Sequence, residues 1–302
     1  MQVYDRSHRY RSTHSMRASP KHSDLDPPDD SHVDARKPGL VRRAVTVHQN
    51  GVTRHGDDWL VEEAPVEFRY NGESFAVMMA TPGDMEDFAW GFSLSEGLVS
   101  RADAIRGVTV RELLEGYVVE VDVAEEALAY TGSTRLLPGR SGCGLCGSRR
   151  LEDVLHPVAP VPDGPLLDPG VLERTLAALA QRQPLNVSTG AVHAAAWATR
   201  EGEIACVRED VGRHNALDKL LGALSRARAD LRDGFVLVTS RASYEMVTKS
   251  VRLGVGLLAA ISAPTALAVE LAHAGNLTLA GFVRHGRYVV YSHPQRLRGA
   301  LR

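Results

Sequence analysis

Cysteine is scarce in this chain: its 302 residues carry three, an odd number. That count excludes the paired framework of a small secreted domain and suits a reducing compartment, so a cytoplasmic location is expected. Net charge is slight as well, at −2 with histidine neutral. No global basic footprint exists, and no nucleic-acid partner is expected. Long apolar runs are missing too. The nearest approach, residues 253–268, is interrupted by Gly, Ser, Pro and Thr and reads as buried core. The first residues lack a signal peptide's apolar region, and no membrane association is expected.

What remains is ordinary for a globular protein, with 44% hydrophobic residues. The length fits one large domain or two modest ones. Residues 1–43 are polar and rich in Arg, Ser, His and Asp. They offer too little apolar surface to offset the entropy of ordering and read as a disordered tail. Its histidines (His8, His14, His22, His32) are irregularly spaced, as in a solvated segment.

Residues 44–140 read as a β-rich subdomain with one helix. A strand pattern begins at Ala44-Val45-Thr46-Val47. Alternating runs at 65–70 and 74–79 flank Asn71-Gly72, a strong hairpin signal. Asp84 can cap a helix that places Met85, Phe88, Ala89 and Phe92 on one face, with Gly97 as its stop. A second hairpin is expected over 108–123, turning near Glu115-Gly116.

Residues 151–302 read as an α/β domain. A helix pattern covers 171–181. A strand over 189–197 turns at Glu201-Gly202 into 203–207. Residues 235–239 form a continuous apolar strand, fit for the middle of a sheet. Residues 257–262 form another, and 277–283 pair with 288–292. Helices follow at 217–224, 244–251 and up to Leu271. The expected class is an α/β layer sandwich with a smaller β-rich N-terminal subdomain.

Between the halves, at 141–150, lies Ser141-Gly142-Cys143-Gly144-Leu145-Cys146-Gly147-Ser148-Arg149-Arg150. Three glycines permit conformations closed to other residues, and the arginines favour the thiolate. A mobile loop presenting two thiols is expected. The spacing alone admits zinc binding, a redox disulfide or sulfur carried as a persulfide. The third thiol, Cys206, sits in an apolar run, where cysteine behaves as a small hydrophobe.

Three polar turns end strands. Segment 208–219 is dense in charge and leads into a helix, a place where anions and nucleotides bind, or equally a solvated loop with a cap. Ser240-Arg241-Ala242-Ser243 precedes the next helix. Arg284-His285-Gly286-Arg287 joins the closing pair and can hold a phosphate with side chains and N–H groups. His193, among small residues, reads as a half-buried histidine or a substrate contact.

Several stretches, in order, resemble the formate dehydrogenase accessory sulfurtransferases, the FdhD family. They are Thr81-Pro82-Gly83-Asp84, Gly91-Phe92-Ser93-Leu94-Ser95-Glu96-Gly97, Cys143-Gly144-Leu145-Cys146-Gly147 and Thr189-Gly190-Ala191-Val192-His193. Then come Arg208-Glu209-Asp210-Val211-Gly212-Arg213-His214-Asn215-Ala216-Leu217-Asp218-Lys219, Ser243-Tyr244-Glu245-Met246 with Lys249, and Gly281-Phe282-Val283-Arg284.

The resemblance implies a cytidine-deaminase-like fold for the larger domain. It implies sulfur accepted from a cysteine desulfurase and passed to bis(molybdopterin guanine dinucleotide), the molybdenum cofactor, before that cofactor enters the formate dehydrogenase apo-enzyme. Cys143 would carry the persulfide and Cys146 would assist or resolve it. Phe282, Val283, Arg284, His285, Gly286 and Arg287 match the segment that binds the cofactor through its guanine-nucleotide moiety. Arg241 and segment 208–219 are expected to line the same cleft. No metal of the protein's own is expected, and an apolar α/β domain of this type can form a homodimer.

Two competitors stand beside this. A zinc deaminase uses H-x-E followed by P-C-x-x-C. Here the C-x-x-C comes first and Ala195 holds the acid's place, and both departures count against that class. A zinc-stabilised, non-catalytic chaperone of the molybdenum cofactor is the alternative.

Overall fold

Two Asn-Gly dipeptides set the first turns. The computed structural model describes residues 38–129, 137–138, 159–168 and 170–298. In it Asn50-Gly51 joins β1 (Leu40–Gln49) to β2 (Val52–Val61), and Asn71-Gly72 joins β3 (Ala64–Tyr70) to β4 (Glu73–Ala80). All four turn residues have positive φ, as a tight two-residue hairpin turn requires. The pattern at 44–47 foreshadows only half of the first hairpin. That hairpin stands as its own two-stranded sheet, whereas β3 and β4 enter a sheet ordered β5-β6-β3-β4-β7. Its remaining members are β5 (Ile105–Leu113), β6 (Gly116–Val123) and the two-residue β7 (Leu137–Pro138).

The helix α1 (Met85–Ser95) closes one face of that sheet. Phe88 and Phe92 pack on Phe68 with ring centroids 5.0 Å away in each case. Each such buried side chain stabilises the fold by about 1.5–3 kcal/mol. Gly97, at φ 72, ends the helix as its sequence suggests. Asp84 does not act as expected. It sits in the left-handed region and makes no capping hydrogen bond. Its carboxylate lies 3.4 Å from Arg208 Nε instead.

The second half contains α2 (Val171–Leu179), α3 (Pro184–Thr189), β8 (His193–Thr199), β9 (Ile204–Asp210), α4 (Arg213–Arg226) and β10 (Gly234–Val238). It continues with α5 (Tyr244–Arg252), β11 (Leu257–Ala260), α6 (Ala266–Ala274), β12 (Thr278–Arg284) and β13 (Arg287–Ser292). Thr189, expected to open a strand, is the last residue of α3 instead. Pro184 starts that short helix, and Gly190 ends it at φ 64.

The six strands are ordered β13-β12-β11-β10-β8-β9. β10 is buried along its whole length, as its unbroken apolar run implies. Alternate residues face opposite ways. Val236, Val238, Leu258 and Leu279 meet residues of α4, α5 and α6. Phe235, Leu237, Leu257 and Ala280 meet α2. Helices therefore cover both faces, the arrangement expected of an α/β layer sandwich. Among the described residues no helix is long and apolar enough to cross a membrane.

α1 and α4 join the two halves, and they cross at glycine. A Cβ on Gly91 would lie 1.7 Å from Asp218 O, and one on Gly222 would lie 1.8 Å from Asp87 O. Only hydrogen fits between these backbones.

Candidate functional site

Strand direction brings the polar turns to one edge. β10, β11 and β12 run parallel, so their C-terminal ends share that edge. β8 and β9 contribute His193 and Asp210, which pair in register there, and β13 contributes Arg287, opposite Arg284. The turns at 211–214, 239–243, 262–265 and 284–287 thus line up outside the carboxyl ends of the strands, where open α/β sheets bind ligands. Cross-links hold the row together. Ala242 and Pro264 form a parallel bridge, and Phe282 N donates to Ser262 O at 3.1 Å.

Within segment 282–287 the six residues differ in what they offer. Arg284, His285, Gly286 and Arg287 are exposed at the hairpin tip. Val283 is fully buried in the core between the sheet and α2, so its side chain faces away from any ligand. The Gly286 N–H donates to Glu173 Oε2 at 2.7 Å, which ties the tip to α2. Phe282 is half-buried and has φ 51 at a register irregularity of the β12–β13 pair. An aromatic residue in the left-handed region costs about 1–3 kcal/mol, strain that clusters at ligand sites.

Segment 208–219 behaves differently, and this corrects the expectation that it lines the cleft as a whole. Most of its charges turn inward and bind the first half. Asp210 Oδ2 accepts from Lys219 Nζ at 2.8 Å and from Thr81 N at 3.0 Å. Lys219 Nζ also donates to Thr81 O, and Val211 N to Thr81 Oγ1. Arg208 Nη2 reaches Asp87 Oδ2 at 2.6 Å. Asp218 accepts from Lys249 Nζ at 2.8 and 2.9 Å and from Ser95 Oγ at 2.6 Å. Lys249 also lies 2.6 Å from Glu96 Oε1.

The seam is electrostatically decided. Burial works against the charge on Lys249, but Asp218 and Glu96 outweigh it and raise its pKa. Burial likewise opposes Glu96, yet Lys249 holds it below the usual carboxylate range. Asp218 is pushed up by burial, which Lys249 only partly offsets. One ammonium thus serves two carboxylates, and removing it strands both.

Four side chains of the edge are not absorbed by this seam. His193 is half-buried at the start of β8, and Arg213 opens α4. Arg241 is exposed in the β10–α5 turn. His214 lies beneath, with Nε2 2.8 Å from Glu245 Oε2 and 3.5 Å from Ser243 Oγ. The His214–Glu245 pair escaped the sequence reading. Its one signal is the glutamate at the second position of α5, a helix start facing that of α4.

Cys143 and Cys146 lie outside the described residues. Cys206 is partly buried beside the α4 core, and its Sγ accepts from Arg208 Nη1 at 3.3 Å. Burial pushes its thiol up, so it is a packing group and a poor nucleophile.

The FdhD/NarQ family model matches residues 61–298. A sulfur carrier protein FdhD of Xanthomonas euvesicatoria pv. vesicatoria is 54% identical over 263 residues, covering 86% of this chain and 93% of that protein. Its counterpart in Cupriavidus necator is 51% identical over 265 residues, covering 87% and 92%. A solved formate dehydrogenase accessory protein from Desulfotalea psychrophila superposes with a TM-score of 0.68 at 25% identity. That match covers 86% of this chain and 100% of the other.

Proposed function

This chain belongs to the FdhD/NarQ family, and on that premise we propose that it carries sulfur to the molybdenum cofactor destined for formate dehydrogenase. The donor is a cysteine desulfurase bearing a persulfide. The Cys143 thiolate attacks the outer sulfur. A new S–S bond forms as the donor's breaks, and the donor leaves as a thiolate, so no oxidant is consumed. Cys146 then attacks the Cys143 sulfur. The outer sulfur departs as hydrosulfide toward the acceptor, and the Cys143–Cys146 disulfide is returned to dithiol by a thiol reductant.

The acceptor is bis(molybdopterin guanine dinucleotide), bound as substrate at the 282–287 hairpin and then delivered to the formate dehydrogenase apo-enzyme. The observation that carries the binding part is the hairpin tip. Arg284 and Arg287 stand exposed beside a strained Phe282, and guanidinium groups form charge-assisted bonds with phosphates. The backbone of Val283 and the side chains of Phe282 and His285 complete the surface. The reaction proceeds in the cytoplasm.

Intact-protein mass spectrometry under non-reducing conditions tests the carrier step. After incubation with a cysteine desulfurase and cysteine, the wild type gains one sulfur atom that reductant removes. Cys143→Ala gains none. A folded wild type with free thiols and no gain would sink the mechanism and turn attention to a zinc-stabilised cofactor chaperone.

A further inference from the structure

α4 and α5 begin at the edge that carries the polar turns and end away from it, and α4 alone spans about 21 Å from start to finish. At that far end α1, α4 and α5 stop together around one cavity. Each closes with a residue in the left-handed region whose N–H donates three residues back: Gly97 to Leu94 O, Arg228 to Ser225 O and Gly254 to Val251 O. Glycine is the usual occupant of that capping position, because a side chain there is strained. α1 and α5 use glycine. α4 carries Arg228 instead, at φ 52.

The cavity holds about 800 Å³, a volume suited to a small organic ligand. Leu94, Val99, Leu224, Leu231 and Leu253 give it an apolar floor, and Arg101, Arg228 and Arg252 also line it. Among the described residues of the lining Glu96 is the one acid, and Lys249 holds it at 2.6 Å. Asp230, next to Arg228 in the chain, is taken by Arg232 at 2.7 Å. The Arg252 guanidinium lies across Gly97, where a Cβ would come within 3.3 Å of it, and donates to Ser95 O. Arg101 meets only the exposed Asp103, at 3.2 Å. The Arg228 side chain has no hydrogen bond or ion pair among the described residues. Three helix ends oppose an anion with about −0.5 charge each. Three guanidinium groups outweigh them, even with Asp103 set against Arg101.

We propose that this cavity binds a small amphipathic carboxylate, with its apolar body on the leucine floor and its carboxylate on Arg228 and Arg252. A charge-assisted bond to Arg228 gives the strained arginine the partner it otherwise lacks. Walls from four separate segments of the chain suit a compact ligand better than an extended peptide. The site stands apart from both the thiols and the 282–287 hairpin, and it holds or fails independently of the sulfur-carrier reading.

Octanoate is the probe, titrated into the full chain by calorimetry, with octanol as its uncharged counterpart. Octanoate binds the wild type saturably, and octanol binds at least tenfold more weakly. Arg228→Gln weakens octanoate about tenfold, the effect of losing one charge-assisted bond. Arg228→Gly weakens it at least as much while the melting temperature holds or rises, because glycine takes φ 52 without strain. Lost binding in a protein no less stable is a result that a merely structural arginine would not give. The double variant Arg284→Gln/Arg287→Gln keeps wild-type affinity for octanoate, and guanosine diphosphate does not compete. No saturable octanoate binding, octanol binding as tightly as octanoate, or wild-type affinity in Arg228→Gly overturns the proposal. Binding of a capped acidic peptide without binding of octanoate overturns it as well, in favour of a protein partner.

Discussion

Segment 208–219 turns most of its charges into the protein, whereas segment 282–287 holds its own out to solvent. Asp210 is fully buried with Lys219 and Thr81 as partners, and Asp218 shares Lys249 with Glu96. Arg284 and Arg287 stand exposed at a hairpin tip. Charge that is buried and fully partnered orders the fold, because breaking one partner strands the others. Charge left at a strained, exposed turn is free to meet a ligand. The first segment therefore belongs chiefly to architecture, and the second is left open for the recognition proposed above.

The largest effect should come from the crossing that brings the inward charges together. Gly222→Val places new atoms where the Asp87 carbonyl already sits, 1.8 Å from the Cβ position. Overpacking of that kind belongs among the most disruptive substitutions, at about 3–5 kcal/mol, and soluble folded protein should be lost on expression. Next is Lys249→Met, which leaves Asp218 and Glu96 without their cation. A loss of about 3–5 kcal/mol is expected in denaturant titrations. Replacing Asp218 as well, by Leu, should recover part of it, since the burial of an unpaired charge is then removed.

A pH series separates the two acids on that lysine. The folded-state pKa of Glu96 is lowered, so its contribution is full above the ordinary value of 4.5 and is lost as pH falls through the folded value. Glu96→Gln should cost about 1.5–3 kcal/mol at pH 7, with a gap to wild type that closes in acid. Asp218 is shifted upward, so its contribution runs the other way and falls as pH rises past 3.8. The smallest stability effect belongs to the outward segment. Arg284→Gln and Arg287→Gln should each change unfolding free energy by less than about 0.5 kcal/mol, since neither is buried. A melting loss comparable to Lys249→Met would erase the contrast between the segments.

The sequence made much of this legible where the signal is local. Asn71-Gly72 specified a hairpin and Gly97 a helix end, while the unbroken 235–239 run placed a strand at the sheet's centre. Asn50-Gly51 carried the same signal for β1–β2, but the polar residues of β2 do not alternate and hid it. Segment 208–219 was recognisable as important and not as inward-facing. Polar density reads alike in a solvated turn and a clamp, and the partners that decide between them lie far away. Asp87 and Arg208 are 121 residues apart, and Ser95 and Lys249 are 154 apart. Glycine gave a similarly incomplete clue at Gly91 and Gly222. A small residue inside a helix marks a close approach without naming what approaches. The edge alignment of His193, Arg213 and Arg241 depends on strand order, which no local pattern states.

The α1–α4 crossing also sets an order of events on the ribosome. α1 leaves the exit tunnel with Asp87, Ser95 and Glu96 unmatched, and their partners follow only after more than a hundred further residues. At about 5–20 residues per second that interval is on the order of ten seconds. Cys143 and Cys146 are synthesised within it. The nascent chain thus exposes α1 and two cysteine thiols together before its two halves can close, a window in which a chaperone or a premature oxidant would find this protein most vulnerable.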